Sequence, residues 1–258
     1  FQSILFASLL GLMLVFVSPQ LTSPACNLNQ DSWNLARESY WKFRSASVHG
    51  NSSEWEGSDD IRSHMEELFT FTLFFCPLSI VELGVREGWS TRAFAAASKA
   101  VGSKMVGVDI SPYCEDAYSR FVGESSGDCV VADSVEWAES YRDFARDNGF
   151  AEEVDLLYID TSHFYEHTKR ELRAWEPLLA RRAAIILHDS HLPSSLRYTR
   201  RDGSQGVCWD NERGVARAVQ EFSGHLYDES QPYAAQASQA TGPAESPGWS
   251  VVHNPLSC

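Results

Sequence analysis

The chain has 258 residues, enough for one α/β domain with appendages and a sizeable buried core. Its 35 acidic residues outnumber 21 Lys and Arg, for a formal net charge of −14. That excludes a general nucleic-acid binder, which needs a basic face to displace counterions. The first 30 residues carry no Asp, Glu, Lys or Arg, and Ile4 to Val17 is almost wholly apolar. This run suits the hydrophobic part of a signal peptide, with Ser23-Pro-Ala25 as a small-residue cleavage site. Lengthened at its start it would be a single-pass anchor. A buried helix of the main domain is the third reading. The expected location is a membrane or the secretory pathway if residues 1–25 are a leader or anchor, and the cytoplasm if not.

Residues 26–58 are polar and Trp-rich and read as a linker or cap, ahead of a domain spanning 59–258. Asn51-Ser-Ser is a glycosylation sequon. Cys26, Cys76, Cys114, Cys129, Cys208 and Cys258 form no C-x-x-C pair, which argues against a zinc ribbon or thioredoxin site. Their even number fits disulfides only in a lumenal or extracellular setting. Cys129, in a strand-like run, reads as a small core residue.

A helix is expected from about Ser58-Asp59-Asp60, with Ile61, Met65, Leu68, Phe69 and Leu73 at helical spacing and Pro77 as its stop. The stretch Ser79 to Asp109 then organises the chain. A short apolar run leads to Glu82, Gly84 and Gly88, and Ser90 or Thr91 can cap an Ala-rich helix. Gly102 ends that helix, and a second apolar run carries Asp109 near its end. Glycines let a backbone approach a ligand, a helix start offers free N–H groups, and a carboxylate about 20 residues on suits ribose hydroxyls. The pattern is E-x-G-x-x-x-G, without the third glycine of a dinucleotide fingerprint.

The alternation continues. Tyr113 to Val122 reads as a helix and Asp128 to Ala132 as a strand; Ser134 can cap a helix holding Trp137, Tyr141 and Phe144. Val154 to Ile159 reads as a strand, Phe164 to Trp175 as a helix and Ala183 to Leu187 as a fifth strand. Strands alternating with helices imply a doubly wound parallel sheet, whose ligands bind at the C-terminal strand ends. Asp109, Asp133, Asp160 and Asp189 all fall at those ends. Leu192 to Arg213, with Arg197, Arg200, Arg201, Trp209 and Asp210, reads as a lid. Gly214 to Phe222 resumes a helix, and Gln231 to Gly248 is a flexible excursion.

The segments VELGVREGWST, VGVD, VADS, DLLYIDTSHFYEH and AAIILHDSH, in that order, resemble class I S-adenosylmethionine-dependent methyltransferases. Within that class the chain is similar to small-molecule O-methyltransferases of the macrolide-sugar and cephalosporin-hydroxylase-like group. The likeness covers Ile80 to His191, and Ile159, Asp160, His163 and Tyr165 are its most specific part. It implies a Rossmann-like, mostly parallel seven-stranded sheet in the order 3-2-1-4-5-7-6. Strand 7 would be antiparallel, helices would cover both faces, and Trp249 to His253 would be the final strand. It also implies S-adenosyl-L-methionine as cofactor. Gly84 and Gly88 would border its methionine half, Asp109 would hold the ribose and Asp133 the adenine amino group, with Glu82 and Ser134 in the same binding set. Two departures stand out. Arg181-Arg182 replace the usual Gly-Gly turn, and His188 precedes Asp189 where metal-dependent members often carry Glu.

Methyl transfer needs an acceptor oxygen aligned behind the methyl group and a route for its proton. Asp160 and Asp189, with His188, could hold a divalent cation such as Mg²⁺ that acidifies the acceptor hydroxyl. His163 is the candidate general base; a histidine that fixes a loop by bonding a carboxylate is the plainer reading. His163-Phe-Tyr-Glu-His167 also matches the H-x-x-E-H zinc-hydrolase motif, with Glu166 as base. A non-catalytic binding domain is the third alternative. The expected partner is a small-molecule acceptor. Membrane association would come only through the N-terminal run, and self-association is open.

Overall fold

The computed structural model describes residues 14–17, 34, 38, 61, 64–123, 126–189, 197–199, 205–207 and 214–223. Strands β1 (Leu14–Val17), β2 (Ser79–Leu83), β3 (Lys104–Asp109), β4 (Gly127–Val131), β5 (Val154–Ile159) and β6 (Leu179–Leu187) form one sheet. Its order is β1-β6-β5-β2-β3-β4. Strands β2 to β6 pair in parallel, so the expected 3-2-1-4-5 half of the topology is present. Strand β1 runs antiparallel along β6, with Leu14 opposite Leu187 and Val17 opposite Ala184. The antiparallel neighbour of the fifth parallel strand is thus drawn from the N-terminal apolar run. The expected final strand, Trp249 to His253, lies outside the described residues. No described helix is long and apolar enough to cross a membrane.

Helices cover both faces because the parallel strands are apolar on both sides. Ile80, Met105, Leu156 and Ile186 point to one core, shared with α1 (Met65–Phe75), α2 (Trp89–Val101) and α3 (Tyr113–Phe121). Val81, Val106, Leu157 and Ile185 point to the other. There they meet α5 (Tyr141–Asn148), which follows the short α4 (Ser134–Trp137), together with α6 (Tyr165–Trp175) and α7 (Gly214–Ser223).

Several elements differ from the sequence reading, each for a physical reason. Ile61 is helical and helix α1 runs from Met65, with Glu66 and Glu67 as its first-turn acids; the expected start at Ser58 to Asp60 lies outside the described residues. Helix α2 is capped by Gly88 in the left-handed conformation, not by Ser90 or Thr91. Those two hydroxyls are drawn instead to a buried carboxylate. Asp133, not Ser134, caps α4, accepting from the N–H groups of Val135 and Glu136. The helix expected through Phe144 is broken by a 3₁₀ turn, Ala138–Ser140. Strand β6 starts at Leu179 and takes Arg181 and Arg182 into an irregular register against β5, where no glycine turn is needed. The guanidinium of Arg182 stacks on Phe75 and donates to its carbonyl. Cys129 is not a core thiol: it forms a disulfide with Cys114 that ties β4 to α3. Within the expected lid, Arg197–Thr199 and Gln205–Val207 pair as a small antiparallel hairpin, β7 and β8. Arg200, Arg201, Trp209 and Asp210 of that segment lie outside the described residues.

Candidate functional site

The C-terminal ends of β2, β3, β5 and β6 meet in one rim. After β2 the chain turns through Gly84 at φ 83°, Arg86 at φ 49° and Gly88 at φ 79°. A Cβ on Gly84 would sit 2.0 Å from the carbonyl oxygen of Asp160, so only glycine lets this turn seat against the β5 end. A Cβ on Gly88 would sit 2.7 Å from that of Ala117 in α3.

Two carboxylates hold the turn from different sides. Asp109, at the tip of β3, accepts from the N–H of Val85 at 2.8 Å and of Arg86 at 2.9 Å through Oδ2. Its Oδ1 accepts from the Ser111 N–H at 2.8 Å. Ile110 and Tyr113 stand exposed beside it. Glu82 lies beneath, fully enclosed, and accepts from Ser90 at 2.5 Å, Thr91 at 2.8 Å and Tyr118 at 3.1 Å. Its carboxylate therefore works inside the fold, not on the rim. Burial pushes its pKa up to about 7, against the pull of those three hydroxyls.

At the β4 end, burial opposes ionisation of Asp133, but the Glu136 and Val135 N–H groups, with His167 and Arg170 nearby, hold its carboxyl low. Ser134 turns inward and donates to Glu171 at 2.5 Å. Glu171 also meets His167 at 3.2 Å and Thr161 at 3.0 Å, so α6 grips both the β4 and β5 loops.

The β5 and β6 ends carry the densest chemistry. Asp160, His163, His188 and Asp189 each offer one ligand atom within 4.8 Å of the others. His163 Nε2 lies 3.0 Å from Asp160 Oδ1 and 3.6 Å from Asp189 Oδ2. His188 Nδ1 lies 3.3 Å from one oxygen of each aspartate. Those separations are ion-pair contacts without hydrogen-bond alignment. Both ring nitrogens of His188 and Oδ1 of Asp189 are buried with no hydrogen-bond partner. His163 at φ 57° and Asp189 at φ 50° hold left-handed backbone, which costs about 1–3 kcal/mol each.

Burial opposes ionisation of Asp160, yet His188 and His163 outweigh it and hold the carboxyl far below the usual range. Burial also opposes charge on the two imidazoles. The aspartates win there too, raising His163 and raising His188 well above its ordinary value.

The zinc-hydrolase reading fails on geometry. His163 precedes α6 in left-handed backbone, and its ring meets the aspartates. His167, a helical residue, meets Glu171 instead. The two imidazoles therefore serve different clusters. The sequence reading also passed over His64, which stands fully buried with its ring edge-on to His188, centroids 5.7 Å apart. Its signal was its spacing: Ile61, His64 and Leu68 share one helical face, and Ile61 and Leu68 are buried with it.

The fold and rim define an open, mostly parallel α/β domain with its candidate site at the strand ends. Residues 81–190, which span the glycine turn and the Asp–His cluster, match the family model of the methyltransferase domain. Over 122 residues the chain is 29% identical to y4gI of Sinorhizobium fredii, itself uncharacterised. That match takes in 45% of this chain but only 13% of the relative's length. Among solved structures, similarity extends to the S-adenosylhomocysteine-bound methyltransferase PaMTH1 of Podospora anserina, at 16% identity and a TM-score of 0.46. That likeness covers 82% of this chain and 83% of PaMTH1. It also extends to CalS11, a TDP-rhamnose 3′-O-methyltransferase of calicheamicin biosynthesis, at 16% identity and a TM-score of 0.42. There it covers 87% of this chain and 95% of CalS11.

Proposed function

We propose that the chain is an S-adenosylmethionine-dependent methyltransferase acting on a hydroxyl of a small acceptor, a sugar or other natural product. One observation carries this reading. The Gly84 turn seats directly against the Asp160 carbonyl, so a cofactor held at the turn faces His163 and both carboxylates. The matched methyltransferase domain contains both halves of that joint. The left-handed turn, Asp109 at the β3 tip and exposed Ile110 beside it fit an adenosine-bearing ligand. Once bound, the cofactor supplies a methyl group on a good leaving group.

The protein's own residues align the acceptor and take its proton. His163 is the candidate base. The two carboxylates favour its charged form, so it accepts a proton only where that pull is offset. A divalent cation fits the same cluster, because His188 and Asp189 keep buried ligand atoms without protein partners. Asp160, Asp189 and His188 would hold it, and it would acidify the acceptor hydroxyl. Carboxylates suit Mg²⁺, whereas an imidazole in the set suits Mn²⁺ or softer ions. The Cys114–Cys129 disulfide supports folding in an oxidising compartment.

S-adenosylhomocysteine should raise the melting temperature. Labelled S-adenosylmethionine should methylate a member of a panel of sugars, phenols and acids, read by mass spectrometry. A thermal shift with NAD and none with S-adenosylhomocysteine would sink the reading.

A further inference from the structure

The partnerless atoms of the cluster extend beyond its four members. His188 turns Nδ1 toward Asp160 and Asp189, the side on which a cation would be held. Its other nitrogen, Nε2, is buried without a partner. An imidazole that binds a metal through one nitrogen nearly always donates its other N–H to a fixed acceptor. Among the described residues, one group answers this need. His64, just before α1, is fully buried, and its own Nε2 also lacks a partner. The two rings meet edge-on at 5.7 Å, while His163 stands off at 6.4 Å and is engaged by Asp160. His64 Nδ1 lies 3.1 Å from Glu67 Oε2, one helical turn on. A carboxylate accepts but never donates, so Glu67 draws the proton of His64 to Nδ1 and leaves Nε2 as a lone pair. Both buried orphans are then satisfied by one N–H···N bond after a small side-chain adjustment.

We propose that His64 is a positioning residue: its Nε2 accepts the Nε2–H of His188 and holds the His188 Nδ1 toward the aspartate pair. This rests on the reading of Asp160, His188 and Asp189 as a cation site. It places part of that site at the N-terminal end of α1, outside the matched residues 81–190. The order of the chain is Glu67 carboxylate, His64, His188, cation.

The test uses the full chain and Mn²⁺ as probe. In ¹⁵N-histidine-labelled protein, the His188 and His64 rings should show a coupling across their hydrogen bond. His64→Phe keeps the ring and removes both nitrogens. It should abolish that coupling and weaken Mn²⁺ binding about 10–100-fold, with S-adenosylhomocysteine affinity unchanged. His64→Gln, whose amide oxygen can still accept, should recover most of the Mn²⁺ affinity. Wild-type Mn²⁺ affinity in His64→Phe would reduce His64 to a packing residue and overturn the proposal. If the wild type binds no divalent ion, the cation reading fails, and the ¹⁵N coupling decides the pairing alone: present, it stands; absent, it falls.

Discussion

The two halves of the rim differ in how their polar groups are satisfied. Around the glycine turn the two inward carboxylates have their donors: Asp109 takes three backbone N–H groups and Glu82 three hydroxyls. Around the β5 and β6 ends, His188 and Asp189 keep orphaned atoms, whereas left-handed non-glycine backbone occurs in both halves, at Arg86 in the turn and at His163 and Asp189 here. The first half is finished by the chain itself. The second is over-determined by its neighbours yet electrostatically incomplete, which is how sites that receive a charged or polar ligand are built. On the proposed function, loss on the turn side should weaken cofactor binding, while loss on the Asp–His side should remove chemistry.

The sharpest break of that contrast is on the incomplete side. His163→Ala should lower turnover about 10²–10⁴-fold, with S-adenosylhomocysteine affinity retained. Asp160→Asn should abolish turnover and equally leave cofactor binding intact, because the turn contacts the Asp160 backbone, not its side chain. Titration calorimetry beside a methyl-transfer assay reads both. A parallel fall in affinity and rate would erase the division between the halves.

On the finished side the largest effect is on stability. Glu82 is raised from 4.5 to about 7 in the fold. The folded state thus holds that proton more tightly than the unfolded chain. Its contribution is fully present below pH 4.5, is lost as pH rises through 7, and is constant above. The span is about 3 kcal/mol at 1.36 kcal/mol per unit. Glu82→Gln should flatten that part of the dependence in urea titrations at pH 5 and pH 8. Equal slopes in variant and wild type would mean that the three hydroxyls keep Glu82 ionised throughout. Replacing Cys114 and Cys129 together by Ser should cost about 3 kcal/mol, since the bridge closes a 15-residue span. A Ser pair as stable as wild type would show that α3 is held by packing alone.

Much of this was legible in the chain. The β2–α2–β3 unit, the β5 strand and the acids at the strand ends follow from local alternation, which survives without tertiary knowledge. Asp160, His188 and Asp189 were placed by it and His163 by the family resemblance, and the structure gathers all four. What escaped depends on contacts between distant segments. Glu82 reads like a rim acid but is sealed by Tyr118 of α3, 36 residues on. Ser90 and Ser134 look like caps because the pull of the buried Glu82 and Glu171 cannot be seen from their neighbours. Cys114 and Cys129 pair across a strand–helix contact, and Leu14–Val17 joins β6 from the far end of the chain. His64 lies in the same class, since only the fold brings it to His188.

The smallest effect probes whether Asp109 supports the turn, the cofactor, or both. Three N–H donors already occupy its carboxylate, which has room for about four. Asp109→Ala removes all three bonds and any contact with a ribose. It should weaken S-adenosylhomocysteine binding by about 1.5–3 kcal/mol, the loss of one charge-assisted group, and lower stability as well. Asp109→Asn keeps one acceptor oxygen, which can hold either the turn pair, Val85 and Arg86, or Ser111, but not both. If Asp109 acts only through the turn, Asn with its oxygen toward that pair should restore affinity and stability together. If it also meets the ribose, stability should return in Asn while affinity stays low. Calorimetry on the two variants separates these cases, and wild-type affinity in Asp109→Ala would remove Asp109 from the cofactor site.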